Sequence, residues 1–168
     1  NDRMIAFIGG AQINPYGDLN STIIGDDYVK PKTRFTGSGG ANGIATYSNT
    51  VIMMQHEKRR FIDKIDYVTS VGWAGGPGGR EKLGLPGNRG PLAVVTDKGI
   101  LRFDEVTKRM YLAGYYPGVT IEDIVENTGF ELDTSRAVEL EAPTEEIIKM
   151  IREDIDPGQA FIKVPVEE

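Results

Sequence analysis

The first apolar run, Met4-Ile-Ala-Phe-Ile8, is unbroken and stops at Gly9-Gly10. A run of this kind predicts a strand buried on both faces, as in a parallel or mixed sheet. Thr50-Val-Ile-Met-Met54 predicts a second such strand, and the more alternating Ile65-Asp-Tyr-Val-Thr69 a third. Leu92-Ala-Val-Val-Thr96, Ile100-Leu-Arg-Phe103 and Met110-Tyr-Leu-Ala113 predict three more. Asp97-Lys-Gly99 reads as a short hairpin connection, with Gly99 suited to a positive φ. Ala137-Val-Glu-Leu140 predicts a further short strand.

Two helices are signalled by their starts. Thr120 is a good N-cap before Ile121, and Asp123 sits where a capping box wants an acid. Asn127-Thr-Gly129 supplies the stop. A second helix follows Ala142-Pro-Thr144, carries Ile147, Ile148, Ile151 and Ile155 on one side, and ends at Asp156-Pro-Gly158. Residues 44–48 predict a short helix after a glycine-rich loop. Strands outnumber helices and the order is mixed. The reading is one α/β domain over residues 1–168, with an antiparallel portion in its second half. The Gly- and Pro-rich stretch 72–91 is long for a loop in a compact domain, and such loops are usually functional or disordered.

Composition narrows the function. The net charge of −6 argues against broad binding to a nucleic-acid backbone, while leaving room for a local basic pocket. With no cysteine there is no disulfide, thiolate metal site or cysteine nucleophile. One histidine and no H-E-x-x-H or EF-hand spacing leave no metal constellation. No apolar run approaches the roughly 20 residues that span a bilayer, and the N-terminus shows no secretory leader. These features predict a cytoplasmic protein. The absence of a starting methionine is consistent with a fragment or a processed chain.

Four clusters could carry chemistry. Gly37-Ser-Gly-Gly-Ala-Asn-Gly43 is neither a P-loop nor a dinucleotide fingerprint. It offers backbone N–H groups free of side chains, which suit an oxyanion or a phosphate. A plain turn explains the same glycines. After the first strand, Gln12, Asn14 and Asn20 lie in a polar turn where ligands sit in open α/β sheets. Asn14-Pro-Tyr-Gly17 reads as a β-turn, and Gln12 as a candidate substrate contact, with Asn20 beside it. His56 lacks a catalytic partner nearby and reads as structural; Lys58, Arg59 and Arg60 read as a solvated charged run, or else as contacts for an acidic ligand. Trp73, in the long loop, either covers a ligand or interface or pins the loop to the core.

Several of these segments resemble one family. Ile5-Ala-Phe-Ile-Gly-Gly-Ala-Gln-Ile13, Arg34-Phe-Thr-Gly-Ser-Gly-Gly-Ala-Asn-Gly-Ile-Ala45 and Met53-Met-Gln-His-Glu-Lys-Arg-Arg-Phe61 are similar to the β subunits of glutaconate-type, class I CoA-transferases. So are Gly75-Gly-Pro-Gly-Gly-Arg-Glu81, Val95-Thr-Asp-Lys-Gly-Ile100 and Asp156-Pro-Gly-Gln-Ala-Phe161. The resemblance runs the length of the chain. It implies an open α/β sandwich, a mixed sheet with flanking helices, with its N-terminal part missing here. It implies an α-subunit partner in a hetero-oligomer, and coenzyme A as a substrate with no tightly bound cofactor.

The implied reaction moves CoA from an acyl-CoA, such as acetyl-CoA, to a dicarboxylate such as glutaconate or 2-hydroxyglutarate, as in glutamate fermentation. A glutamate of the β chain attacks the thioester, and a glutamyl-CoA thioester carries the CoA across. The glycine loop is associated with the oxyanion hole, which maps to Gly37, Gly39 and Gly40. The family's nucleophile lies in a Glu-Ser-Gly or Glu-Asn-Gly context that this sequence does not contain, so it is expected upstream of Asn1. Glu57 and Glu81 do not match that motif. These 168 residues alone are therefore expected to be inactive. Asn14 and Asp18 depart from the family's pattern and leave the preferred dicarboxylate open. A related CoA-ester hydrolase and a non-catalytic scaffold are the alternative readings. Sheet edges without partners predict poor solubility for the isolated chain.

Overall fold

The computed structural model describes residues 4–162, so Asn1-Asp-Arg3 of the stretch read for a leader lies outside it. In chain order the strands are β1 (Ile5–Ile8), β2 (Gln12–Ile13), β3 (Leu19–Asn20), β4 (Ile23–Ile24) and β5 (Thr33–Arg34). Helix α1 (Ala41–Tyr47), strand β6 (Asn49–Met53) and the short helix α2 (Gly79–Lys82) follow. Then come β7 (Pro91–Val95), β8 (Gly99–Phe103), β9 (Met110–Tyr115), α3 (Ile121–Glu126), β10 (Val138–Glu139) and α4 (Glu145–Met150).

A six-stranded sheet has the order β1-β6-β7-β8-β9-β10. β1, β6 and β7 are parallel, β7-β8-β9 is an antiparallel meander, and β10 joins parallel to β9. The mixed sheet agrees with the two kinds of apolar pattern along the chain. The core gathers Ile8, Ile52, Val94, Leu101 and Leu112 from the sheet, Ala45 from α1 and Ile124 from α3. Helices α1 and α3 are therefore held by their apolar faces. The Thr120 hydroxyl accepts from Asp123 N at 3.1 Å, as the sequence predicts for this cap.

The structure departs from the sequence pattern in five places. β1 is not buried on both faces: Ile5 and Phe7 are exposed, since β1 is the edge strand of the sheet. Residues 65–69 do not form a strand; the segment's backbone pairs only with Leu19 of β3, through Thr69 N donating to Leu19 O and an isolated bridge between Leu19 and Ser70, and side-chain hydrogen bonds supply the remaining ties. Its other side, with Tyr67 and Val68, is exposed. The hairpins β2–β3 and β4–β5 have two-residue strands, too short for any periodicity to show. Gly99 does not take a positive φ. It is glycine because a Cβ there would collide with Gly114 O across the β8–β9 pair. Finally, the isoleucine face of α4 is not buried, and from Ile151 to Ile155 the helix widens into a π-turn.

Candidate functional site

The glycine loop stands between β5 and α1. Gly37 and Gly39 have φ of 90° and 54°, the left-handed region that glycine reaches at little cost. Ala41 N closes a turn onto Ser38 O at 2.9 Å, and Ile44 N donates to Gly40 O at 3.0 Å. The N–H groups of Gly37, Gly39 and Gly40 make no hydrogen bond among the described residues. A Cβ placed on Gly37 or Gly39 would meet nothing within 4 Å, and on Gly40 only Ile44 Cδ1 at 3.9 Å. The loop therefore carries unengaged donors, with no packing requirement for the two left-handed glycines.

Gln12 and Asn20 sit opposite each other in the β2–β3 pair. Both are buried, and their side chains are joined: Asn20 Nδ2 donates to Gln12 Oε1 at 2.6 Å. Gln12 Oε1 also accepts from Asp66 N at 3.1 Å, while Gln12 Nε2 donates to Asp66 Oδ2 at 3.1 Å. Asn20 Nδ2 further donates to Ile23 O at 2.6 Å, and its Oδ1 accepts from Thr22 N and Ile23 N. The amides are thus committed to holding β4 and residues 65–69 against β2–β3. Asn14 behaves as the turn residue expected: its Oδ1 accepts from Tyr16 N and Asp18 N, both at 3.0 Å.

His56 is buried and stacked on Phe61, with ring centroids 4.1 Å apart and planes 3° from parallel. Its Nε2 lies 2.9 Å from Thr128 Oγ1, whose own proton goes to Ile124 O at 2.8 Å. Thr128 must then accept, so Nε2 carries the hydrogen of a neutral imidazole. Burial lowers the pKa of His56 from 6.5 to about 4, against the opposing field of Asp97. This is a structural histidine. Glu57 is engaged by Arg59 Nε at 2.7 Å and Arg60 Nε at 2.9 Å, and those hydrogen bonds depress its pKa. Two of the three basic residues in this run therefore share a single carboxylate, and the run keeps a net positive charge.

A profile of the Coenzyme A transferase family matches residues 2–127. The chain belongs to that family. It is 76% identical over 166 residues to the β chain of glutaconate CoA-transferase from Acidaminococcus fermentans, covering 99% of this chain and 62% of that one. The crystal structure of that enzyme superposes with a TM-score of 0.95 over 98% of this chain and 63% of the other. The β chain of 3-oxoadipate CoA-transferase from Pseudomonas knackmussii is 40% identical over 150 residues, covering 88% of this chain and 57% of that one. The Rhodococcus jostii IpdAB structure matches at a TM-score of 0.80 and 25% identity, over 95% of this chain and 63% of that one. The chain thus spans less than two thirds of the length of each of these relatives.

Within this CoA-transferase fold the long loop 72–91 is fastened from both ends. Trp73 Nε1 donates to Pro91 O at 3.1 Å, so the tryptophan pins the loop to the start of β7. Arg80, 1% exposed, donates to the carbonyls of Ala45, Thr46, Val71, Gly72 and Pro86. Burial pushes its pKa down, and the fields of Asp18 and Glu81 oppose that. Asp18 Oδ1 accepts from Gly72 N and Ala74 N. Sequence reasoning singled out neither Arg80 nor Asp66, and named Asp18 only as a departure from the family's pattern. A signal does exist for Arg80: an arginine among glycines and prolines has few side-chain acceptors and many carbonyls. No helix among the described residues is long and apolar enough to cross a membrane.

Proposed function

We propose that this chain is the supporting part of a CoA-transferase β chain, working in the cytoplasm with an α chain. The assembled enzyme would exchange CoA between an acyl-CoA, such as acetyl-CoA, and a dicarboxylate such as glutaconate or 2-hydroxyglutarate. The 76% identity to a glutaconate CoA-transferase chain supports this reading, while the Rhodococcus jostii relative named as a cholesterol ring-cleaving hydrolase is 25% identical. CoA is a substrate, and no tightly bound cofactor is required.

The reaction proceeds through a carboxylate nucleophile. A glutamate outside these 168 residues attacks the thioester carbonyl, and the carbonyl oxygen becomes a tetrahedral oxyanion. The unengaged N–H groups of Gly37, Gly39 and Gly40 donate to that oxygen; this is the observation that carries the reading. The oxyanion collapses and expels CoA thiolate, leaving an acyl-glutamyl anhydride. Thiolate then attacks the glutamyl carbonyl and releases the first acid. The resulting glutamyl-CoA thioester passes CoA to the incoming dicarboxylate by the reverse sequence. Gln12 and Asn20 serve by positioning, through Asp66, rather than by donating free amides.

The test is an exchange assay on the full-length two-chain protein with acetyl-CoA and glutaconate. Formation of glutaconyl-CoA with release of acetate supports the proposal. Release of free CoA without acyl exchange would make the protein a hydrolase.

A further inference from the structure

The β4–β5 hairpin carries a surface that the glycine loop does not explain. Tyr28 and Tyr67, from separate segments, approach with ring centroids 5.7 Å apart and planes tilted by 34°. Both rings are open to solvent, with exposures of 53% and 39%. The Arg34 guanidinium lies 4.8 Å from the centre of the Tyr28 ring and donates to Tyr28 O. Lys30 and Lys32 stand exposed on the same hairpin. No described carboxylate forms an ion pair with Lys30, Lys32 or Arg34. The neighbouring Asp27 has Oδ1 turned onto the backbone N–H groups of Val29 and Lys30, at 2.8 and 3.2 Å.

The two tyrosines are held in place from below. Asp66, next to Tyr67, accepts from both Gln12 Nε2 and Gly25 N. Thr69 Oγ1 accepts from Ser21 N at 2.8 Å and lies 2.7 Å from Thr22 Oγ1. Residues 65–69 and the base of the hairpin are thereby fixed to one another, although no regular strand joins them.

We propose that Tyr28 and Tyr67, with Lys30, Lys32 and Arg34, form the subsite for the 3′-phospho-ADP end of CoA. This rests on the CoA-transferase reading. An aromatic pair offers a stacking platform to adenine. The pyrophosphate and 3′-phosphate need cations, and the hairpin supplies three, Lys30, Lys32 and Arg34, against the two carboxylates of Asp26 and Asp27, in a chain that as a whole carries −6. The reach is suitable. Lys32 is five residues before Gly37, and an extended chain covers at most about 3.3–3.6 Å per residue, so the two are within about 18 Å. An extended phosphopantetheine arm covers a span of that order, which brings the thioester to the glycine loop.

The test uses the full-length two-chain protein and two thioesters, acetyl-CoA and acetyl-pantetheine, which lacks the nucleotide. In Tyr28→Ala, and in the double variant Lys30→Glu with Lys32→Glu, the ratio of kcat/KM for acetyl-CoA over acetyl-pantetheine is expected to fall at least tenfold. An unchanged ratio overturns the subsite, as does a defect confined to assembly of the two chains. Wild-type protein that exchanges no CoA overturns the functional reading instead. The subsite is then decided by calorimetric titration with adenosine 3′,5′-bisphosphate, which needs no turnover. Binding that weakens at least tenfold in Tyr28→Ala upholds it, and no binding, or equal binding, overturns it.

Discussion

Arg80 Nη2 donates to Thr46 O at 2.8 Å, so a side chain of the long loop closes the C-terminal end of the helix that follows the glycine loop. The same guanidinium satisfies four other carbonyls, and no carboxylate among the described residues bonds to it. A planar fork of five N–H donors suits this; a lysine offers a compact ammonium and cannot spread over the same acceptors. Arg80→Met would leave buried carbonyls without donors. The expected loss is about 3 kcal/mol, the size seen when buried charged hydrogen-bond groups lose a partner. Urea unfolding should show a lowered midpoint for Arg80→Met and, to a smaller degree, for Arg80→Lys. Wild-type midpoints in both would mean that the five contacts carry no stability.

His56 gives the protein an acid-sensitive core. Its folded pKa, about 4, lies below the ordinary value of 6.5. The fold therefore favours the neutral ring. Its contribution is fully present above pH 6.5 and is lost as pH falls from 6.5 toward 4. At about 1.4 kcal/mol per pKa unit, the loss is on the order of 3 kcal/mol. Carboxylates also titrate near the bottom of this window, so the comparison is with His56→Asn. The variant should be less stable at pH 7 and show a shallower fall between pH 6.5 and 4.5. Equal slopes would contradict the assignment.

Gly39 isolates backbone direction from packing. Its φ is 54° and a Cβ there meets no atom, so Gly39→Ala costs torsional strain and little else. For L-residues that region costs about 1–2 kcal/mol, and the loop relieves it by turning its N–H groups. In the assembled enzyme kcat should fall at least tenfold, since loss of one oxyanion donor costs about 10²–10³. Thermal unfolding should shift by only a few degrees. A variant with wild-type kcat would remove the loop from the chemistry.

Glu57 is the acid nearest the family-like histidine segment, yet it is tied to Arg59 and Arg60 and lies at the surface. Glu57→Gln should retain transferase activity within about threefold, because a solvent-screened surface ion pair contributes little. A loss of a hundredfold or more would make Glu57 part of the reacting machinery.

Long apolar runs and well-capped helix starts are the legible part of this fold. Ile5–Ile8 and Asn49–Met53 pair in parallel as their unbroken patterns predict, although β1 is exposed along most of its length, and Thr120 and Thr144 cap the helices they precede. Structure made by single contacts is not legible in the same way. Two-residue strands leave no period to read, and residues 65–69 alternate like a strand while bonding on one side only. The isoleucines of α4 have helical spacing, but no surface among the described residues buries them. The glycine loop is visible as a cradle in the sequence. Its mechanical supports, Arg80 and the Gln12–Asn20–Asp66 network, are not, because each depends on residues dozens of positions apart.

The measurement that bears most directly on this mechanism is covalent trapping in the full-length two-chain protein. The protein is incubated with acetyl-CoA alone, reduced with borohydride, digested, and mapped by mass spectrometry. A glutamyl-CoA thioester is reduced to an alcohol at one glutamate. The expected result is a single reduced glutamate outside these 168 residues, and its disappearance when the dicarboxylate is added first. A reduced glutamate within these residues, or turnover with no trapped residue, would contradict it.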